Sequence, residues 1–206
     1  MDSIKRYLEG WKTIPNFISF FRILLIPVFG VLFYKGELVW ALVAIVVSGL
    51  TDFVDGKIAR KFNQVSELGK MLDPLADKLT QITLAILLFL EFNASADKIM
   101  HAFSYVFLVF LGKEAVMVIF AVIMIALGMV PSAAEIYGKV ATFVFYGVMV
   151  ALFLFGPEVG VFASAFTLPN VVCIVLVSIS AVLTVVAFVS YIPDVVRQVK
   201  EKYFKK

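Results

Sequence analysis

The stretch TDFVDGKIARKFNQVSELGKMLDPLADK, residues 51–78, places Asp52, Asp55, Asp73 and Asp77 inside a 206-residue chain that is 62% hydrophobic and only 16% charged. Ordinary soluble domains carry about 25% charged residues. Mean hydropathy is +1.02. On both sides of the stretch lie apolar runs of roughly 20 residues, the length at which a helix crosses a hydrocarbon core of about 30 Å. The sequence therefore reads as an all-α, polytopic integral membrane protein whose four acids stand where two apolar runs meet.

Working outward, six transmembrane helices are expected: Phe17 to about Tyr34, Leu38 to about Lys61 with its last third polar, Met71 to Phe92, Ile99 to Val130, Ile136 to Phe155, and about Pro169 to Ile192. The fourth is long enough to be tilted or overlong and is interrupted only by Lys113 and Glu114. There is no repeat, low-complexity tract or soluble linker. Residues 1–206 are expected to form a single membrane domain, with 1–14 an interfacial helix, 17–192 a six-helix bundle and 193–206 a basic tail. The first span contains Arg22 and Pro27 and is followed by YKGE, unlike a cleavable signal. In MDSIKRYLEGWK, Ile4, Tyr7, Leu8 and Trp11 recur at helical spacing between charges, the pattern of an amphipathic helix lying in the interface with Trp11 as its anchor.

Lysine and arginine fix the expected sidedness. Lys5, Arg6, Lys12, Lys57, Arg60, Lys61, Lys70, Arg197, Lys200, Lys202, Lys205 and Lys206 fall on one side of the six-span plan, and only Lys35 and Lys98 on the other. The positive-inside rule then puts both tails and the aspartate segment in the cytoplasm. This distribution already accounts for the basic residues, and a formal charge of +3 gives no reason to expect nucleic-acid binding. Cys173, in VVCIVLVSIS, reads as a small core residue; a single cysteine makes no internal disulfide.

Helical positions three or four apart share a face, so Asp52 pairs with Asp55 and Asp73 with Asp77. The pairs end one span and begin the next across a short loop, and they converge. Four carboxylates in a partly dehydrated site repel one another unless cations neutralise them. Hard divalent ions on oxygen ligands, Mg²⁺ or Mn²⁺, suit that need, and two such ions could clamp a pyrophosphate for displacement at phosphorus. The plainer alternative is that these acids pair with Lys57, Arg60, Lys70 and Lys78 in a solvated loop. It accounts poorly for four acids at a membrane edge, where ionisable residues are functional by default. Gly56, Ala59 and Gly69 are small enough to let a nucleotide or another backbone approach, though each could equally serve helix packing.

Asp52-x-x-Asp55-Gly56-x-x-Ala59-Arg60, then eight residues, Gly69, three, Asp73, three and Asp77 resembles the complete signature of the CDP-alcohol phosphotransferases, with all eight positions matched. The resemblance implies six transmembrane helices, usually in a homodimer, and transfer of a phosphatidyl group from CDP-diacylglycerol to an alcohol with release of CMP. It implies that Asp52, Asp55 and Asp73 bind two Mg²⁺ or Mn²⁺ ions. Asp77 would touch the second ion and act as general base, while Asp52, Gly56, Ala59, Arg60 and Gly69 line the CDP site. A carboxylate held against a divalent ion holds a proton poorly, yet can take one from an alcohol as it attacks phosphorus.

The opening IPNFISFFRILLIP and FNQVSELGKMLDPLADK are similar to the bacterial phosphatidylglycerophosphate synthases of that family. This implies sn-glycerol 3-phosphate as acceptor, a bacterial cytoplasmic membrane, and Asn16, Ser19 and Arg22 facing the nucleotide or its phosphates. Arg22, in an apolar helix, demands an anionic partner in any case; Asn16 reads equally as a helix cap. A dianionic acceptor needs cations, and Lys113 and Lys139 are the candidates. The sequence departs from the subfamily here, with Lys113 where an arginine is expected before Glu114, and with Val140 and Ala141 where a second basic residue is expected after Lys139. Phosphatidylglycerol, the monoanionic acceptor of CMP-forming cardiolipin synthases in the same family, is the alternative. An intramembrane prenyltransferase would carry its aspartate motifs far apart. A cation transporter would place its carboxylates near the midplane in repeated halves.

Overall fold

The computed structural model describes residues 13–61, 67–126 and 136–203, and within 52–61 it describes the backbone alone. The described residues form helices joined by turns, without a strand. The interfacial helix expected over 1–14 and the loop 62–66 lie outside them. Two compact units divide the chain at Leu87 and Leu88.

The first unit is built on α1, Ile14–Tyr34, and α2, Leu38–Lys61, packed against each other along their lengths. Thr13, not Asn16, caps α1: its hydroxyl accepts the Asn16 N–H at 3.4 Å. The helix ends in a Schellman turn. Gly36 takes a φ of +75°, its N–H reaches Phe33 O at 2.9 Å, and the Glu37 N–H reaches Leu32 O at 2.9 Å. The chain reverses within three residues and enters α2. The third helix, α3, Glu67–Asn93, begins four residues before the expected Met71, so Gly69, Asp73 and Asp77 ride on one helix.

Over the first turns of α1 burial runs inside out, while Phe29 and Phe33 are buried further along. Asn16, Ser19 and Arg22 are buried, while Phe17, Phe20, Phe21, Leu24, Val28 and Val31 are exposed. In water such a stripe would be an aggregation hazard, but in a bilayer it is the lipid face.

The second unit holds the end of α3, then α4, Lys98–Ser104; α5, Phe107–Ala126; α6, Ile136–Phe155; α7, Asn170–Ser190; and α8, Ile192–Tyr203. An aromatic file joins the first four: Phe92 stacks on Phe107 at 5.9 Å, and Phe110 meets Phe145 edge-on at 5.0 Å. The buried face of α7 is made mainly of small residues, Cys173, Val177, Ser180, Ala181, Thr184 and Ala187, which let α5 and α6 approach closely. Polar ties close one end. Asp97 caps α4 through the Ile99 N–H at 2.8 Å and accepts Asn170 Nδ2 at 2.7 Å, and the Ser95 hydroxyl donates to Glu158 at 2.6 Å.

One expectation needs correcting. The fourth span is not one helix: the Ser104 hydroxyl takes the His101 carbonyl at 2.7 Å, the acceptor that the Tyr105 N–H would use in a continuous α-helix. Bonds reaching back three residues, from Val106, Leu108 and Val109, then carry the chain through the break. Within the segment expected as a basic tail, the described residues continue helix α8, whose Asp194 accepts Arg197 at 2.5 Å and Gln198 at 3.0 Å. Among the described residues, four stretches are long and apolar enough to cross a membrane: Asn16–Tyr34, Lys98–Phe120, Ile136–Phe155 and Asn170–Lys200. The apolar part of α2 is the shorter Leu38–Thr51, and α3 carries Asp73, Asp77, Lys78 and Glu91.

The Schellman turn makes a prediction. A side chain in the left-handed region costs about 1–2 kcal/mol, so Gly36→Ala should lower the thermal midpoint in detergent. Gly30→Ala, at a helical position with nothing within 4 Å, should match or exceed the parent by about 0.5–1 kcal/mol. The reverse order would contradict the turn assigned here.

Candidate functional site

The site is built around Asp73, in the second turn of α3. Its Oδ1 accepts the Ser19 hydroxyl at 2.5 Å and the Arg22 guanidinium Nη2 at 3.1 Å, contacts that span 54 and 51 positions of sequence. Ser19 is fully buried and the Arg22 side chain is 4% exposed, whereas Asp73 keeps 45% of its side chain exposed. The carboxylate is thus tethered on one oxygen to the interior and open at its other end. A charge-assisted bond of this kind is about twice as strong as a neutral one. Asp73 thus supplies an anionic partner of the kind that Arg22 requires.

Asp77 lies one turn further along α3, and Gln81 Nε2 donates to its Oδ2 at 3.3 Å. Gln81 is buried and had not been singled out; the clue available in the sequence was an amide four positions after an aspartate in an otherwise apolar helix. Gly69 is buried in the first turns of the same helix. Asn16 is buried on the α1 face that carries Ser19 and Arg22. Positions 52, 55, 56, 59 and 60 recur at helical spacing through the last turns of α2, whose backbone stays helical to Lys61.

A small cavity of about 10 Å³ is lined by Leu25, Phe29, Ala44, Ser48, Thr80 and Thr83 from all three helices. Among the described residues there is no cluster of three or more acidic, histidine or cysteine side chains. The donor set the structure does show, two carboxylates a turn apart with one braced by a hydroxyl and a guanidinium, is all oxygen and suits a hard divalent ion.

Lys113 and Lys139 belong to the second unit. Lys113 forms an ion pair with its neighbour Glu114, which is buried. Lys139 is exposed on the second turn of α6.

Fold and site together define an integral membrane protein that carries a carboxylate site on its helices. Residues 12–186 match the CDP-alcohol phosphatidyltransferase family, and the chain belongs to it. It is 36% identical over 137 residues to the cardiolipin synthase (CMP-forming) of Streptomyces coelicolor, covering 64% of this chain and 60% of that protein. It is 45% identical over 85 residues to the CDP-diacylglycerol--glycerol-3-phosphate 3-phosphatidyltransferase of Rickettsia typhi, covering 40% of this chain and 48% of that one. The matches thus span about half to three-fifths of these relatives' lengths.

The Lys113 and Glu114 pair can be tested by itself. Breaking a buried pair leaves the remaining charge poorly answered, while replacing both partners is nearly neutral. Lys113→Met should therefore lower thermal stability in detergent, and adding Glu114→Gln should restore part of the loss, with a coupling of about 0.5–3 kcal/mol. Strictly additive losses would mean that the pair is not coupled.

Proposed function

We propose that this chain transfers a phosphatidyl group from CDP-diacylglycerol to a glycerol-based alcohol, releasing CMP. The observation that carries this reading is the bracing of Asp73 by Ser19 and Arg22 within residues 12–186, which match the family. In this reading the four aspartates converge at the cytoplasmic face, α2 and α3 supply the fifth and sixth spans, and the protein works as a homodimer among membrane lipids.

The family is generally dependent on divalent metal. Asp52, Asp55, Asp73 and Asp77 would hold two Mg²⁺ or Mn²⁺ ions, which would neutralise the pyrophosphate of the donor and make CMP a competent leaving group. The chain's own residues do the rest. Gly56, Ala59, Arg60 and Gly69, together with Asn16, line the CDP site. Asp77 takes the proton from the acceptor hydroxyl as its oxygen attacks phosphorus, and Gln81 aims that carboxylate through its Oδ2.

Two acceptors fit the family. Glycerol 3-phosphate was expected because Lys113, deep in an apolar helix, calls for an anion and a phosphate could answer it. Glu114 already meets that demand within the helix. The ion pair thus favours the second reading, phosphatidylglycerol, whose single negative charge asks for fewer free cations. Lys139 would then supply the remaining cation.

Two experiments check these statements. Activity should vanish in excess chelator and return with Mg²⁺ or Mn²⁺. Under the same assay, Asp77→Asn should lose turnover by about 100-fold or more while keeping CDP-diacylglycerol binding, and Asp73→Asn should lose both; near-normal turnover in Asp77→Asn would place the base elsewhere. The acceptor is settled by offering labelled CDP-diacylglycerol with glycerol 3-phosphate or phosphatidylglycerol to purified protein. Cardiolipin as the product is the expected outcome, and phosphatidylglycerophosphate alone would restore the first reading.

A further inference from the structure

We propose that Ser19 and Arg22 are positioning residues for Asp73 that act on a divalent ion in opposite senses: Ser19 fixes the carboxylate for the ion, and Arg22 shares it until the ion arrives. This rests on the metal-dependent reading above and departs from the sequence expectation that both residues face the nucleotide. Both donors converge on the same oxygen, Oδ1, from the buried face of α1, and the rest of the carboxylate stays exposed. A metal approaches the exposed end. The Ser19 hydroxyl is neutral, fully buried and rigidly seated in a helix, so its bond to Oδ1 is compatible with a bound cation and holds the carboxylate's orientation. Partners of this kind commonly alter metal affinity 10- to 100-fold when removed.

Arg22 differs in its charge. In the absence of a metal its guanidinium is the cation that answers Asp73, and it is held by a helix that gives it little solvent. An arriving divalent ion meets a like charge on the same carboxylate, so part of its binding energy goes into displacing the Arg22 contact.

The test uses the full-length protein in nanodiscs of zwitterionic lipid, without nucleotide, with Mn²⁺ as the probe and free Mn²⁺ read by electron paramagnetic resonance. Asp73→Asn should weaken binding severely. Ser19→Ala should raise the Mn²⁺ Kd by about tenfold or more. Arg22→Gln, which keeps a donor but drops the charge, should lower it, and Arg22→Lys, which keeps the charge, should stay near the parent. Opposite shifts for Ser19→Ala and Arg22→Gln bear the proposal out. A Ser19→Ala protein with the parent Kd overturns it, and that arm decides alone if Arg22→Gln does not fold. Weaker Mn²⁺ binding in a folded Arg22→Gln protein also overturns it. If the parent binds Mn²⁺ but Asp73→Asn binds equally well, both this inference and the assignment of Asp73 as a metal ligand fall; if the parent binds none, the metal reading falls as a whole.

Discussion

A guanidinium placed inside an apolar helix is the constraint around which the first unit is arranged. Arginine at the centre of a membrane helix costs about 2.5–3.5 kcal/mol on insertion scales, and the cost is met only if an acid comes to it. Asp73 does so at 3.1 Å. Once that contact is required, α3 has to lie against the α1 face that carries Ser19 and Arg22, and α1 has to turn Phe17, Phe20 and Phe21 outward. The three-residue reversal at Gly36 supplies the second half of the arrangement by laying α2 back along α1. One charged contact and one tight turn are enough to set the sides from which the signature residues are presented.

The second unit meets the same difficulty by other means. Its deep cation, Lys113, finds its counter-charge one residue away on the same helix and needs no partner from another element. Its polar ties sit instead where helices end: Asp97 serves both as the cap of α4 and as acceptor for Asn170 at the start of α7, 73 positions later. Interhelical hydrogen bonds in such settings are worth about 0.6 kcal/mol on average, so close packing of small side chains on α7 must carry most of the cohesion. The first unit thus spends its charges on a site, and the second on holding helices together.

The helical, membrane-embedded character could be read directly, because hydropathy and run length report it without reference to neighbours. So could the spacing of Asp73 and Asp77, since three intervening residues on a helix mean one turn. Arg22's need for an anion was equally visible, but its partner was not: a sequence spacing of 51 carries no geometric information, and the acids nearest in sequence to the basic residues offered a simpler pairing. The break after Ser104 was hidden because hydropathy runs unbroken through it, and what diverts the helix is a single hydroxyl bonding backwards. Helix α8 was obscured by its charges, although Ile192, Val195, Val196 and Val199 repeat at helical spacing. Gln81 drew no attention because one amide in an apolar helix has many ordinary roles. Roles that depend on Asp52, Asp55 and Arg60 side chains stand on the signature alone.

The long separation between Arg22 and Asp73 also bears on how the protein is made. Ribosomes add about 5–20 residues each second, so a gap of 51 residues means that α1 emerges about 3–10 s before its acid does. Through that interval Arg22 stands without Asp73 at its side. The Arg22–Asp73 contact is therefore a late event of synthesis, made only once α3 has followed α1 and α2 out of the ribosome.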